Sequence, residues 1–213
     1  MKNYDYIIFD WDGNLAKTLD IWLNAFRTVF QKRGFNLTDE EISGAFGQIT
    51  PFAKNLGIAD FDKVVEEGLA LGDKNIPNVE LYPDALDILD DLKNKNKHLA
   101  VLTTSPRVNL MRPLEKHKMV KYFEVIIVGE DLTHHKPDPE GVEKALEKMG
   151  GIKDRAIIIG DSDKDLGAAV NAGIDSILFY PPEHKKYYSL EKLKAFNPTY
   201  IVSDFKEIKN IIK

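Results

Sequence analysis

The sequence predicts an α/β protein: a doubly wound parallel sheet with a small, all-helical unit inserted after its first strand. Three observations carry this. An apolar run, Tyr6-Ile7-Ile8-Phe9, opens the chain as a strand buried on both faces. From about Thr18 to about Asn75 the apolar residues recur at helical spacing only, with no strand-like run. From Tyr82 onward, short apolar strands alternate with amphipathic helices, the pattern of a parallel sheet covered on both faces. The division that follows is an α/β core over residues 1–15 and 82–213 and a helical unit over 16–81.

Within the helical unit, Leu19, Leu23, Phe26, Val29 and Phe30 share one face of a first helix that closes at Gly34. Thr38 to Glu41 has the form of a capping box. Thr50-Pro51 reads as an N-cap with proline in the first turn, and Asp60 opens another helix carrying Val64, Val65, Leu69 and Leu71. In the core, "YPDALDILDDLKNK" is an amphipathic helix and "HLAVLTTS" a strand ending in hydroxyls. Ser105-Pro106 opens the next helix, "FEVIIVGED" is a strand, and Asp138 caps a helix with Pro139 in its first turn. "RAIIIGDSDKD" is a strand ending in acids, followed by a helix that stops at Gly173. "IDSILFY" and "PTYIVSDF" are further strands, and Asp204 caps a terminal helix.

Composition narrows the partners. A net charge of −5 with a pI near 5.6 argues against a nucleic-acid binder, which normally presents a basic face. The chain has no cysteine, which excludes disulfides, thiolate metal sites and thiol nucleophiles. Neither a leader-like segment nor an apolar run of membrane-spanning length is present. The expectation is a soluble, cytoplasmic protein, monomer or homodimer, acting on a small molecule.

Parallel sheets bind ligands at the C-terminal ends of their strands. Here those ends carry, in order, Asp10 and Asp12; Thr103 and Thr104; the Gly129–Lys136 loop; and Asp161, with Asp165 just beyond. Taken singly, each has a structural use, because strand-end acids and hydroxyls commonly cap helices and shape turns. Together they place carboxylates, a hydroxyl and an ammonium on one edge, the set that phosphoryl transfer to a carboxylate requires.

"DWDGNL", "VLTTS", "HKPDP" and "GDSDKD" resemble the four motifs of the haloacid dehalogenase superfamily, phosphatase branch, in order and spacing along the whole chain. About ninety residues separate Asp12 from Thr103 and only about thirty separate Thr103 from Lys136. The resemblance is therefore to the small members with a helical cap between the first two motifs, similar to phosphoglycolate phosphatases. It implies a Rossmann-like core and hydrolysis of a small phosphorylated metabolite. Asp10 would be the nucleophile and Asp12 the general acid and base. Thr103, Thr104 and Lys136 would hold phosphate, with backbone N–H groups from Trp11 to Gly13 cradling its remaining oxygens. Magnesium would be bound by Asp10, the Asp12 carbonyl and Asp161, while Asp165 would orient Lys136 or a metal-bound water.

Electrostatics shows why such a set is needed. Two like unit charges about 4 Å apart repel by about 4 kcal/mol at an effective dielectric of about 20. Against a phosphate dianion this becomes roughly 8 kcal/mol, on the order of a millionfold in rate. A hard divalent cation among oxygen ligands, together with Lys136, would offset it. The Asp10–Asp12 pair also suits a division of labour, because a neighbouring carboxylate raises proton affinity.

Relatives usually read D-x-D-G-T-L followed by an acid and a serine, whereas this chain has Asn14, Lys17 and Thr18. Asn14 is expected to hydrogen-bond the turn, and Lys17 lies at a cap hinge. The hinges are placed near Ala16 to Thr18 and Pro77 to Leu81. Cap residues facing the core would choose the substrate, with Gln48, Thr50 and Lys54 as candidates; Trp11 and Trp22 either wall the site or pack the domains. A phosphomutase of β-phosphoglucomutase type shares all four motifs. A receiver-type domain phosphorylated on aspartate gathers similar groups, but in a shorter chain without a cap.

Overall fold

The computed structural model describes residues 2–213. Strands β1 (Tyr6–Phe9), β2 (His98–Leu102), β3 (Val125–Ile127), β4 (Ala156–Gly160), β5 (Asp175–Phe179) and β6 (Tyr200–Val202) form one sheet. Its order is β3-β2-β1-β4-β5-β6, and every pairing is parallel. The chain runs outward from β1 to β3, then crosses back to begin again at β4. The order thus reverses between β1 and β4, which opens a crevice at the C-terminal ends of those strands.

Alternation along each strand explains the burial of both faces. Ile7 and Phe9 pack with Val101, Ile159 and Phe179 on one side, against α5 (Ala85–Asn94), α6 (Arg107–Lys116) and α10 (Phe205–Ile211). Ile8, Ala100, Leu102 and Ile158 pack on the other, against α7 (Glu140–Met149) and α8 (Asp163–Ala172). A short α9 (Leu190–Lys194) covers Leu178 through Leu193.

Between β1 and α5 the chain is helical: α1 (Leu19–Lys32), α2 (Asp39–Gly44), α3 (Ile49–Asn55) and α4 (Phe61–Gly72). These helices bury a core of their own, in which Leu23, Phe26, Val29, Phe30, Ile42 and Val64 take part. Helices α1 and α4 approach closely because two glycines leave notches in α4. A Cβ at Gly68 would lie 2.2 Å from the Phe26 ring, and one at Gly72 would lie 2.4 Å from the Trp22 ring. The chain enters and leaves the helical unit side by side. Lys17 N–H donates to the Glu80 carbonyl at 2.9 Å, and Tyr82 N–H to the Leu15 carbonyl at 3.0 Å.

Several helix ends match the sequence reading, including the Thr38–Glu41 capping box, the Asp204 cap and the positive-φ ends at Gly34 and Gly173. Three differ. Helix α3 begins at Ile49, one residue before Thr50, so Thr50 lies in its first turn and Gln48 at the cap position. Helix α7 begins at Glu140, so Pro139 and not Asp138 stands at its cap position, although Asp138 Oδ1 still accepts from Glu140 N–H at 2.9 Å. Ser105 does not cap α6, because its hydroxyl is used in the site described below. No helix among the described residues is long and apolar enough to cross a membrane.

The notch at Gly68 generates a prediction. Gly68→Ala forces the buried Phe26 ring to move and should cost about 1–3 kcal/mol of stability, read as a lowered urea midpoint with an unchanged slope.

Candidate active site

Each strand end at the crevice contributes one group. Asp10 follows β1 directly, and its N–H is fixed by the Ile159 carbonyl of β4 at 2.9 Å. Lys136 arrives from the loop after β3 and is almost fully buried. Its ammonium lies 2.8 Å from Asp10 Oδ1 and 2.6 Å from Asp165 Oδ1, and donates to the Leu102 carbonyl at 3.2 Å. Asp165 is saturated: its Oδ2 accepts from Ser162 N–H at 3.1 Å and from the Ser162 hydroxyl at 2.7 Å. This capping box at the start of α8 fixes the carboxylate that fixes the lysine.

Asp161, at the end of β4, is the contrast. It is buried, yet its Oδ2 has no hydrogen-bond partner among the described residues. Carboxylate oxygens of Asp10, Asp161 and Asp165 lie within 4.8 Å of one another. Gly13, at φ +70°, makes room beside them, since a Cβ there would fall 2.2 Å from Asp161 Oδ2. The only buried histidine among the described residues, His184, has its Nδ1 3.9 Å from that oxygen and its Nε2 2.7 Å from the Tyr82 hydroxyl.

Burial sets the protonation balance. It pushes the Asp10 carboxyl up to about 8, with the Asp165 charge adding to the rise and Lys136 opposing it. Burial likewise raises Asp161 well above the ordinary carboxylate range, again reinforced by Asp165. For Lys136, burial pulls downward, but the charges of Asp10 and Asp165 outweigh it and the net shift is upward. His184 is driven down to about 3 by burial and is neutral at physiological pH.

Asp12 is held by three donors. Its Oδ1 accepts from Trp22 Nε1 at 2.8 Å, and its Oδ2 from Thr103 Oγ1 at 3.0 Å and Ser105 Oγ at 2.7 Å. Trp22 belongs to α1, so the helical unit itself touches this carboxylate. The Asp12 carbonyl takes no backbone hydrogen bond among the described residues.

Asp10, Asp12, Lys136 and Asp161 line one cavity of about 450 Å³, with Thr104 and Ser105 at its edge. Thr103 sits behind that surface, buried and bonded to Asp12. Gly13 N–H is not available to a ligand, because it donates to the Ala16 carbonyl and to Thr18 Oγ1. Gln48 and Thr50 face the cavity, whereas the Lys54 ammonium lies over the Phe61 ring, away from it. Lys17 packs over Tyr82. Asn14 departs from expectation: it is fully buried and neither polar atom of its amide is paired among the described residues, an arrangement that costs stability.

Sequence reasoning passed over Ser105 as a partner of Asp12, His184 beside Asp161, and Tyr188, which lines the cavity. A serine before proline looks like a helix start, and the segment from Pro181 to Ser189 has no periodic signal to place it.

The chain matches the haloacid dehalogenase-like hydrolase family over residues 7–179. It belongs to that family. The pyrophosphatase PpaX of Oceanobacillus iheyensis is 29% identical over 210 residues, spanning 97% of this chain and 95% of its own. A phosphorylated carbohydrates phosphatase of Thermotoga maritima is 26% identical over 180 residues, 80% of this chain and 82% of its own. A solved structure from Bacteroides fragilis, assigned as a haloacid dehalogenase-like hydrolase, superposes with a TM-score of 0.86 at 29% identity, covering 97% of this chain and 100% of that one. Membership in a hydrolase family sets aside the receiver-type reading.

Members of this family generally use magnesium, and the residues present fit a hard cation. Asp161 offers an orphaned buried oxygen, Gly13 leaves space in front of it, and one ammonium faces several carboxylates. Because the folded-state value of Asp10 (about 8) lies above the ordinary 3.8, the folded protein holds more protons between those pH values. Chelator-treated protein should therefore lose stability as pH rises from about 4 to about 8. Thermal unfolding across this range should show a shallower decline in Asp10→Asn, and added magnesium should stabilise the wild type most at the alkaline end.

Proposed function

We propose that this protein is a magnesium-dependent phosphatase that hydrolyses a small phosphomonoester through an aspartyl-phosphate on Asp10. The observation that carries this reading is the buried Lys136 ammonium, placed 2.8 Å from Asp10 beside the unpartnered Asp161 oxygen on the floor of one cavity. Asp10, Asp161 and the Asp12 carbonyl would hold the cation, with Asp165 orienting Lys136. When bound, magnesium supplies positive charge that keeps Asp10 ionised and lowers its repulsion of the phosphate dianion.

Asp10 Oδ attacks phosphorus, the new O–P bond forms and the ester P–O bond breaks. The departing alkoxide takes a proton from Asp12. Water then attacks the same phosphorus, gives a proton to Asp12, and releases phosphate and free Asp10. Lys136 balances charge on the nucleophile and the transferring group. Thr103 and Ser105 aim the Asp12 carboxyl, while Thr104 and the N–H groups of Trp11 and Asp12 meet phosphoryl oxygens. Residues 16–81 act as a cap that excludes water, over a core of 1–15 and 82–213. The protein works in the cytoplasm on a small phosphorylated metabolite, without nucleic acid or membrane.

Phosphate release from small phosphate esters should require magnesium and stop in chelator. Asp10→Asn should abolish it with the fold intact, and Asp12→Asn should lower kcat by about 10²–10⁴. Turnover retained in Asp10→Asn would overturn the covalent route.

A further inference from the structure

The cavity has two halves of opposite chemistry. Its floor carries Asp10, Asp12, Asp161 and Lys136. Its roof, from the helical unit, is formed chiefly by Trp22, Phe26, Phe46, Ile49, Val65 and Leu69. Val65 and Leu69 are four residues apart, on one face of α4. The adjoining face carries Gly68 and Gly72, the notches that receive the Phe26 and Trp22 rings. Both rings also line the cavity.

Polar groups at the roof are few and mostly engaged. Trp22 Nε1 is spent on Asp12, and the Ser43 hydroxyl donates to the Tyr187 carbonyl at 2.7 Å. Lys164, which reaches the cavity from α8 of the core, donates to the Gly44 carbonyl and to Asp163. Gln48 and Thr50 are the polar side chains of the roof without such a partner among the described residues. No arginine lines the cavity among the described residues. The one further ammonium on the wall among the described residues, Lys164, already faces Asp163 at 2.8 Å and the Gly44 carbonyl at 3.1 Å, so a second phosphate would have to compete for it, and a sugar turned toward the aromatic and aliphatic roof would leave hydroxyls unpaired there. The volume, about 450 Å³, lies in the range of small-molecule sites and exceeds what phosphate alone requires.

We infer that the leaving group accepted by this protein is an apolar alcohol, a benzyl-like or medium alkyl group, in preference to a sugar or a second phosphate. The inference rests on the phosphatase reading above. It separates this chain from what the name of its pyrophosphatase relative would suggest.

A homologous series of n-alkyl phosphates from methyl to hexyl tests it, because the leaving-group basicity barely changes while the buried carbon does. Wild-type kcat/KM should rise by about two- to fourfold per methylene over the first few additions. 2-Phenylethyl phosphate should exceed both glucose 6-phosphate and inorganic pyrophosphate by about tenfold or more. Leu69→Lys should flatten the series and raise the ratio of pyrophosphate to hexyl phosphate turnover. A flat or falling wild-type series, or preference for pyrophosphate or the sugar phosphate, overturns this inference alone, provided Asp10→Asn remains inactive. Absence of hydrolysis across all these esters with magnesium overturns the phosphatase reading and this inference with it.

Discussion

Lys136 extends its ammonium between Asp10 and Asp165 in a place with almost no access to water. One positive charge there faces a group of carboxylates, and burial makes the imbalance expensive because little solvent screens it. The protein meets part of the cost with hydrogen bonds, using Ser162 to saturate Asp165. Asp161 is left with an unpaired oxygen. The remaining deficit is of the kind a divalent cation would remove, so the imbalance that burial makes expensive is also what would favour binding one.

Topology decides where that charge sits. The reversal of strand order between β1 and β4 brings Asp10 and Asp161 onto neighbouring strands, with Phe9 paired to Ile159 in register. The loop after β3 must then reach across β2 to deliver Lys136, which it anchors on the Leu102 carbonyl. The helical unit closes over the same point, and its Trp22 touches Asp12 directly. Position of the roof and orientation of that carboxylate are therefore mechanically linked.

Much of this was legible in the sequence because it depends on local patterns. The six strands appear as short apolar runs, and the carboxylates and lysine stand at their ends, where parallel sheets place ligand chemistry. What escaped depends on contacts between distant segments. Asp60 opens α4 as its type suggests, but its carboxylate goes to Arg33, just past the end of α1. Ser105 has the form of a helix start, but its hydroxyl donates a hydrogen bond to Asp12, 93 residues earlier. Thr103 and Thr104 are adjacent, and only the fold separates the one that braces Asp12 from the one that faces the cavity. His184 lies in a segment without periodicity, so its place beside Asp161 had no sequence signal.

The hydrogen bonds that pair Lys17 with Glu80 and Leu15 with Tyr82 have an evolutionary consequence. Both ends of a sixty-odd-residue excursion are stapled together where it begins, so strand register does not depend on its content, although Trp22 within it must still reach Asp12. A recombination event that exchanged the whole excursion would join at two neighbouring backbone positions and leave the strand register untouched. Selectivity can in this way be inherited as a graft, provided the graft brings a donor for Asp12 in the place of Trp22.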